Sequence, residues 1–288
     1  MTPTVYLNGA FLPQPEARVS VYDGAFLHGA GLFETMRAEG GRIFRLEAHL
    51  ERLRRSAAQI LTPLSEAESL SGDVFAELLE RNGLRQARVR LTVTAGSVRE
   101  PEEDGPPTMT VCATATPLSA YPLELYEQGV QVAICDFRQS TTDAIAAHKT
   151  TAHLPRLLGL RQARQRHCIE AIWFTTRNEL AEGSISNVFI VRDGALRTPP
   201  VDTPVLPGTA RAIVLKLAEA EGIPREEAAL SVDDLLDADE VFLTNAIMQV
   251  MPVVRVERQT IGGGSAGPTT QRLLNRYREL VREECKAP

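Results

Sequence analysis

Two short apolar runs, Val5-Tyr6-Leu7 and Ala10-Phe11-Leu12, flank Asn8-Gly9, a pair whose tolerance of positive φ suits a tight hairpin turn. A second hairpin is expected where Gly31-Leu32-Phe33-Glu34-Thr35-Met36-Arg37 and Arg42-Ile43-Phe44 close on Glu39-Gly40-Gly41. From 46 to 60 the period changes. Leu46, Leu50, Leu53, Ala57 and Ile60 alternate spacings of four and three, which places one apolar stripe on a helix. Another helix is expected over 65–80. Val89, Leu91 and Val93 then alternate with Arg88, Arg90, Thr92 and Thr94 as in a half-buried strand, and a further strand is expected over 108–112.

The proline-rich stretch 117–122 reads as a linker, dividing a smaller α+β domain over 1–118 from a larger one over 119–288. In the second part, strands are expected at 130–135, 171–175 and 187–191, with Asp193-Gly194 turning into another. Val241 to Thr244 and Val250 to Val256 read as buried strands. Helices are expected at 154–167, from Leu206-Pro207-Gly208 to about 221, and from Pro268 onward with Leu273, Leu274, Tyr277, Leu280 and Val281 inside. Strands and helices mix without strict βαβ alternation, so the expected class is α+β, in two domains with ligand space between them.

Composition removes several functions. The chain has 288 residues, 43% hydrophobic, with a net charge of -6 and basic residues spread along its length, which leaves no footprint for nucleic acid. No run approaches the roughly 18 apolar residues of a membrane span. Residues 1–6 show neither a basic start nor an apolar core, so no signal peptide and a soluble, cytoplasmic protein are expected. Cys112, Cys135, Cys168 and Cys285 lie far apart and read as free thiols. His28, His49, His148, His153 and His167 form no zinc pattern, so no metal is expected.

Lysine and arginine total 31, and only Lys149, Lys216 and Lys286 are lysines. Arginine does not become a neutral nucleophile near pH 7, whereas lysine does when its environment disfavours the charge. Lys216 lies within an amphipathic helix, and Lys286 is three residues from the end. Lys149 sits among small residues in Ala146-Ala147-His148-Lys149-Thr150-Thr151-Ala152, between a loop and a helix. Further on, Glu182-Gly183-Ser184-Ile185-Ser186-Asn187 sets an acid beside a strand without forming a G-x-S-x-G elbow. Gly208, Thr209 and Ala210 open a helix whose N-terminal N–H groups suit an anion, though an ordinary helix start reads the same way. An amine, an acid and a phosphate cradle are what a protein supplies to pyridoxal 5'-phosphate.

The chain resembles the fold-type IV, class-IV aminotransferase family of pyridoxal-phosphate enzymes, a D-amino acid aminotransferase-like two-domain fold. The resemblance rests on Tyr6-x-Asn8-Gly9, Asp23-x-x-Phe26-x-x-Gly29-x-Gly31-x-Phe33-Glu34-Thr35 and His49-Leu50-x-Arg52-Leu53. It continues through Lys149, the 182–189 motif, Leu206-Pro207-Gly208 and Ala238-Asp239-Glu240-Val241-Phe242. It implies pyridoxal phosphate held between the domains in a homodimer acting on a small-molecule amine. By the same resemblance Lys149 is the Schiff-base lysine, Glu182 the partner of the pyridine nitrogen, and Arg52 the phosphate-binding arginine. Thr209 and Ala210 complete the cradle, with Gly208, Asn187 and Asn245 also at the cofactor. Two positions depart from the family pattern. His153 stands nearest to where many members carry a tyrosine, and Ala246 where many place a threonine hydroxyl on the phosphate.

Three activities are implied. Residues 243–253, Leu-Thr-Asn-Ala-Ile-Met-Gln-Val-Met-Pro-Val, resemble the aminodeoxychorismate lyases most, so the expected reaction is conversion of 4-amino-4-deoxychorismate to 4-aminobenzoate and pyruvate, a step of folate biosynthesis. The alternative is an aminotransferase acting on branched-chain or D-amino acids. A more remote one is a non-catalytic cofactor-binding protein.

Overall fold

The computed structural model describes residues 2–61, 70–98 and 109–286. The chain forms two compact units: Met1–Ser119 with His148–His153 and Val281–Pro288, and Ala120–Ala147 with Leu154–Leu280.

Unit one contains β1 (Thr4–Leu7), β2 (Ala10–Pro13), α1 (Gly24–His28), β3 (Gly31–Glu39), β4 (Arg42–Ile43), α2 (Leu46–Ile60), α3 (Gly72–Arg81), β5 (Ala87–Thr94) and β6 (Val111–Pro117). Its six strands form one antiparallel sheet in the order β2-β1-β6-β5-β3-β4. The two expected hairpins are both present, with Asn8 and Gly9 turning the first at φ 47° and 89°. One phase of the strands, Leu32, Met36 and Ala38 with Val89 and Leu91, packs on Leu50, Leu53 and Ala57 of α2. Each leucine fully buried there contributes roughly 1.5–3 kcal/mol. The opposite phase pairs Phe33 with Thr92, Thr35 with Arg90 and Arg37 with Arg88, giving a polar, cationic second face. Of the helix expected over 65–80, residues 65–69 lie outside those described, and α3 begins only at Gly72, after the Ser71 cap, and ends at Arg81. Thr108 of the strand expected over 108–112 also lies outside them.

Residues 148–153 fold with unit one rather than with the sequence that surrounds them. β4 pairs only with Ala38 and Glu39, which leaves the Gly31–Phe33 edge of β3 open. The distant segment takes that edge: Leu32 and Thr150 form an antiparallel bridge, Phe33 N–H donates to the Lys149 carbonyl (2.9 Å), and Thr151 N–H donates to the Gly31 carbonyl (2.8 Å). A boundary drawn along the sequence at 118/119 does not show such a return, because the pairing is non-local.

Unit two contains α4 (Leu123–Gln128), β7 (Val130–Gln139), α5 (Leu154–Gln165), β8 (Glu170–Thr175), β9 (Leu180–Gly183), β10 (Asn187–Arg192), β11 (Ala195–Thr198), α6 (Thr209–Ala220), β12 (Arg225–Glu227), α7 (Val232–Leu236), β13 (Glu240–Asn245), β14 (Gln249–Val256), β15 (Gln259–Thr260) and α8 (Pro268–Glu284) as far as Leu280, the rest of α8 being counted with unit one. Nine strands form a mixed sheet in the order β12-β11-β10-β13-β14-β7-β8-β9, with β15 on β14. The β14-β7, β7-β8 and β11-β12 pairs are parallel. β7 runs four residues past its expected end at Cys135, because a register shift between Ile134 and Arg138 interrupts the alternation. β9, four residues and wholly buried, has no alternation to betray it. Among the described residues no helix is long and apolar enough to cross a membrane.

Candidate active site

In unit one the Lys149 Nζ lies 4.6 Å from the centroid of the Phe33 ring. The close approach of its segment depends on Gly31, where a Cβ would stand 3.0 Å from Thr151 Oγ1 and from the Val93 carbonyl oxygen. The same ring receives two more side chains. His153 meets it edge-on, with centroids 5.5 Å apart, and the Arg90 Cζ lies 3.8 Å from its centroid. Arg90 donates to Thr92 Oγ1 (3.2 Å), and no carboxylate pairs with it among the described residues. Burial, then the charge of Arg88, lowers its proton affinity.

Arg52 projects from α2 into a buried cluster. Its Nε and Nη2 donate to Glu34 Oε1 and Oε2 at 2.8 and 2.5 Å, and His49 Nδ1 donates to Glu34 Oε2 at 2.7 Å. Burial alone would raise the Glu34 carboxyl. The Arg52 charge and the hydrogen bonds from His49 and Arg52 outweigh it and bring the pKa to about 2. His49 is lowered, chiefly by burial, against the opposing pull of Glu34 and with help from the charges of Arg52 and Lys149.

In unit two, Glu182 sits on β9 with its carboxylate surrounded by donors. Oε1 accepts from Arg156 Nη2 (2.7 Å), and Oε2 accepts from the Leu206 N–H (3.0 Å) and Asn187 Nδ2 (3.3 Å). Asn187 also donates to the Leu206 carbonyl (2.9 Å), tying the start of β10 to the segment that leads into α6. Gly208 caps α6 with no side-chain hydrogen bond. A Cβ at Gly208 would overlap Asn187 Oδ1, so the approach requires glycine. Thr209 and Ala210 form the first turn of this helix, the positive end of its dipole, which favours an anion. The Asn245 side chain joins two loops: Oδ1 accepts from the Ile247 and Met248 N–H groups (2.9 and 2.8 Å), and Nδ2 donates to the Ile185 carbonyl (3.1 Å).

The loop from Glu182 to Asn187 is held from below by Glu170, which is fully buried. Its carboxylate accepts from the N–H groups of Ala171 (2.9 Å), Ser184 (3.0 Å) and Ile185 (3.1 Å) and from Ser186 Oγ (2.8 Å). Burial nevertheless prevails over these bonds and raises the carboxyl to about 7.

The sequence reading missed Glu34, His49, Arg90, Arg156 and Glu170 as parts of the site. Glu34 had a signal, since it stands in phase with the apolar Leu32 and Met36, where a charge needs a partner. Glu170 opens the apolar run Ala171–Phe174 and carries a weaker one. Arg156 had none. Taken by unit, Lys149, Arg52 and His153 belong to the first, and Glu182, Asn187, Gly208, Thr209, Ala210 and Asn245 to the second. By chemical type these donors fit pyridoxal 5'-phosphate: unit one carries an amine suited to its aldehyde, and unit two carries a carboxylate suited to its ring N–H and a glycine-led helix start suited to its phosphate.

The sequence profile described as Amino-transferase class IV matches residues 31–256. A protein of Methanocaldococcus jannaschii, provisionally named a branched-chain-amino-acid aminotransferase, is 35% identical over 96% of this chain and 96% of its own length. The crystal structure of a T.th. branched-chain amino acid aminotransferase with pyridoxamine 5'-phosphate superposes with a TM-score of 0.88 at 29% identity, covering 98% of this chain and 94% of that one. The 4-amino-4-deoxychorismate lyase of Pseudomonas aeruginosa superposes with a TM-score of 0.83 at 27% identity, covering 96% and 98%.

Proposed function

Because the chain belongs to the class IV amino-transferase family, we propose that it is a pyridoxal 5'-phosphate-dependent aminotransferase moving an amino group from an amino acid to a 2-oxo acid. The observation that carries this reading is the ring of Phe33, against which both Lys149 and Arg90 pack. Amino acids and 2-oxo acids both present a carboxylate close to the reacting carbon. Arg90, a fork of donors with no acid of its own among the described residues, suits that carboxylate.

When bound, the cofactor supplies an aldehyde for amino groups and a pyridine ring that takes up electrons. The rest is the work of the chain. Lys149 would hold the cofactor covalently, and its Nζ would serve as the base for the proton at the substrate's α-carbon. Glu182 would accept the ring N–H and keep it protonated. Arg52 in unit one and the start of α6 in unit two each offer donors suited to a phosphate. The choice of transamination over lyase chemistry rests on the higher identity to a relative named as an aminotransferase, 35%, than to the lyase, 27%.

The lyase expected from residues 243–253 is kept as a second reading, supported by Ala246 in place of a hydroxyl and by the likeness to the Pseudomonas lyase. A homodimer is the assembly we infer, in keeping with exposed apolar side chains such as Val21 (64%) and Phe26 (73%), and sedimentation tests it. The deciding assay gives the loaded protein branched-chain L-amino acids or D-alanine with 2-oxoglutarate, and separately aminodeoxychorismate. Glutamate formed from the first set supports the aminotransferase. Pyruvate and 4-aminobenzoate from the second, with no glutamate from the first, would replace it with the lyase. Bound cofactor with no turnover on either would leave a binding protein.

A further inference from the structure

We propose that Arg156 is a positioning residue that keeps Glu182 a carboxylate, so that the proton Glu182 shares with the cofactor's ring nitrogen rests on the nitrogen. The inference rests on the reading of Glu182 as the ring-nitrogen partner.

Arg156 is held on three sides. It rises from α5, its Nη2 donates both to Glu182 Oε1 (2.7 Å) and to Gln139 Oε1 of β7 (2.5 Å), and its Cζ lies 4.6 Å from the centroid of the Trp173 ring on β8. Each clamp is itself anchored: Gln139 Nε2 donates to the Pro204 carbonyl, and Trp173 Nε1 donates to Ser184 Oγ (2.9 Å). The guanidinium is therefore a fixed charge rather than a mobile surface one. Its side chain is 15% exposed and that of Glu182 is 7% exposed, so solvent screens the pair weakly.

The identity of the neighbours gives this charge its direction. Gln139 and Trp173 are neutral, and among the described residues no second carboxylate pairs with Arg156. Its Nη1 is buried with no hydrogen-bond partner among the described residues, although an unpartnered buried donor is costly. A strut that only filled space would be served as well by a neutral amide or a methionine. A full positive charge retained at that cost, with Glu182 as its one described acid, acts on Glu182.

Two further donors to the carboxylate come from β10 and the lead into α6, Asn187 Nδ2 and the Leu206 N–H. Both are neutral donors that also favour the ionised form. Coulomb attraction falls with distance, and the guanidinium touches the carboxylate itself. It therefore lowers the carboxylate's hold on a shared proton more than it lowers the nitrogen's. The proton stays on the ring, where electron uptake needs it.

The test is to load wild type, R156Q, R156H and E182Q with pyridoxal 5'-phosphate labelled with 15N in the ring and to record the nitrogen resonance, together with cofactor retention and thermal unfolding. The proposal expects R156Q to retain cofactor and fold, with the resonance moved toward that of neutral pyridine. In R156H the resonance should follow pH across roughly 5.5–7.5 as the imidazole titrates. A folded R156Q with the wild-type resonance overturns the proposal. Should R156Q not fold, a pH-independent R156H resonance overturns it equally. If E182Q leaves the resonance unmoved, the reading of Glu182 fails. If E182Q moves it and neither Arg156 variant does, only the present inference fails.

Discussion

Glu34 accepts from both Nε and Nη2 of Arg52, at 2.8 and 2.5 Å, inside the core of unit one. The arginine assigned to the cofactor phosphate is thus aimed by an acid that is itself 1% exposed. Removing one member of such a pair strands the other, which costs about 3–5 kcal/mol. Arg52→Ala should therefore lower the denaturation midpoint as well as the grip on the cofactor. A lost charge-assisted phosphate contact of roughly 1.5–3 kcal/mol corresponds to about ten- to hundred-fold weaker retention. Equilibrium dialysis well below the unfolding temperature separates the two effects. Unchanged affinity would place the phosphate elsewhere.

The two buried carboxylates should load stability in opposite pH windows. Glu34 falls from 4.5 to about 2 on folding, so its contribution is present above pH 4.5 and is lost as the pH drops toward 2. Glu170 rises from 4.5 to about 7, so its protonated form favours the fold below pH 4.5, and that support fades as the pH rises to 7. Urea unfolding of Glu170→Gln across pH 4.5–7 should show a flatter dependence than wild type. An unchanged slope there would mean that Glu170 is ionised at no unusual pH.

Glu182→Gln should keep the cofactor and slow turnover by about 100- to 1000-fold, the usual range for removing one such electrostatic contact, roughly 2.7–4 kcal/mol. The amide cannot hold a proton on the ring nitrogen, while Lys149 and the start of α6 are untouched. Steady-state kinetics beside a cofactor titration distinguish the roles. Unfolding of the variant would make Glu182 a structural acid, and wild-type turnover would remove it from the ring.

The local elements were largely legible. The four-three spacing from Leu46 to Ile60 gave α2 to the residue, and Asn8-Gly9 gave the first turn. What stayed hidden was non-local. Nothing near Lys149 announces that 148–153 pairs with Gly31–Phe33, because an open strand edge is a property of the sheet and not of either segment. Arg156 is one arginine among many, and only the fold sets it between Gln139, Trp173 and Glu182. Asn245 illustrates the reverse. A motif position marked it for the cofactor, and the structure shows its Oδ1 closing the turn before β14 while its Nδ2 donates to the Ile185 carbonyl in the loop before β10. Glu170 and Glu34 lie between these cases, being charges on buried phases that ask for partners without naming them.

Lys149 as the covalent anchor of pyridoxal 5'-phosphate is the claim from which the other roles descend. The direct measurement is borohydride reduction of the loaded protein followed by digestion and peptide mass mapping. With only Lys149, Lys216 and Lys286 available, three answers are possible for a labelled lysine. The account predicts the reduced pyridoxyl group on the peptide carrying Lys149, and none bound by Lys149→Ala after the same treatment. A label on Lys216 or Lys286, or full labelling of the alanine variant, would contradict it.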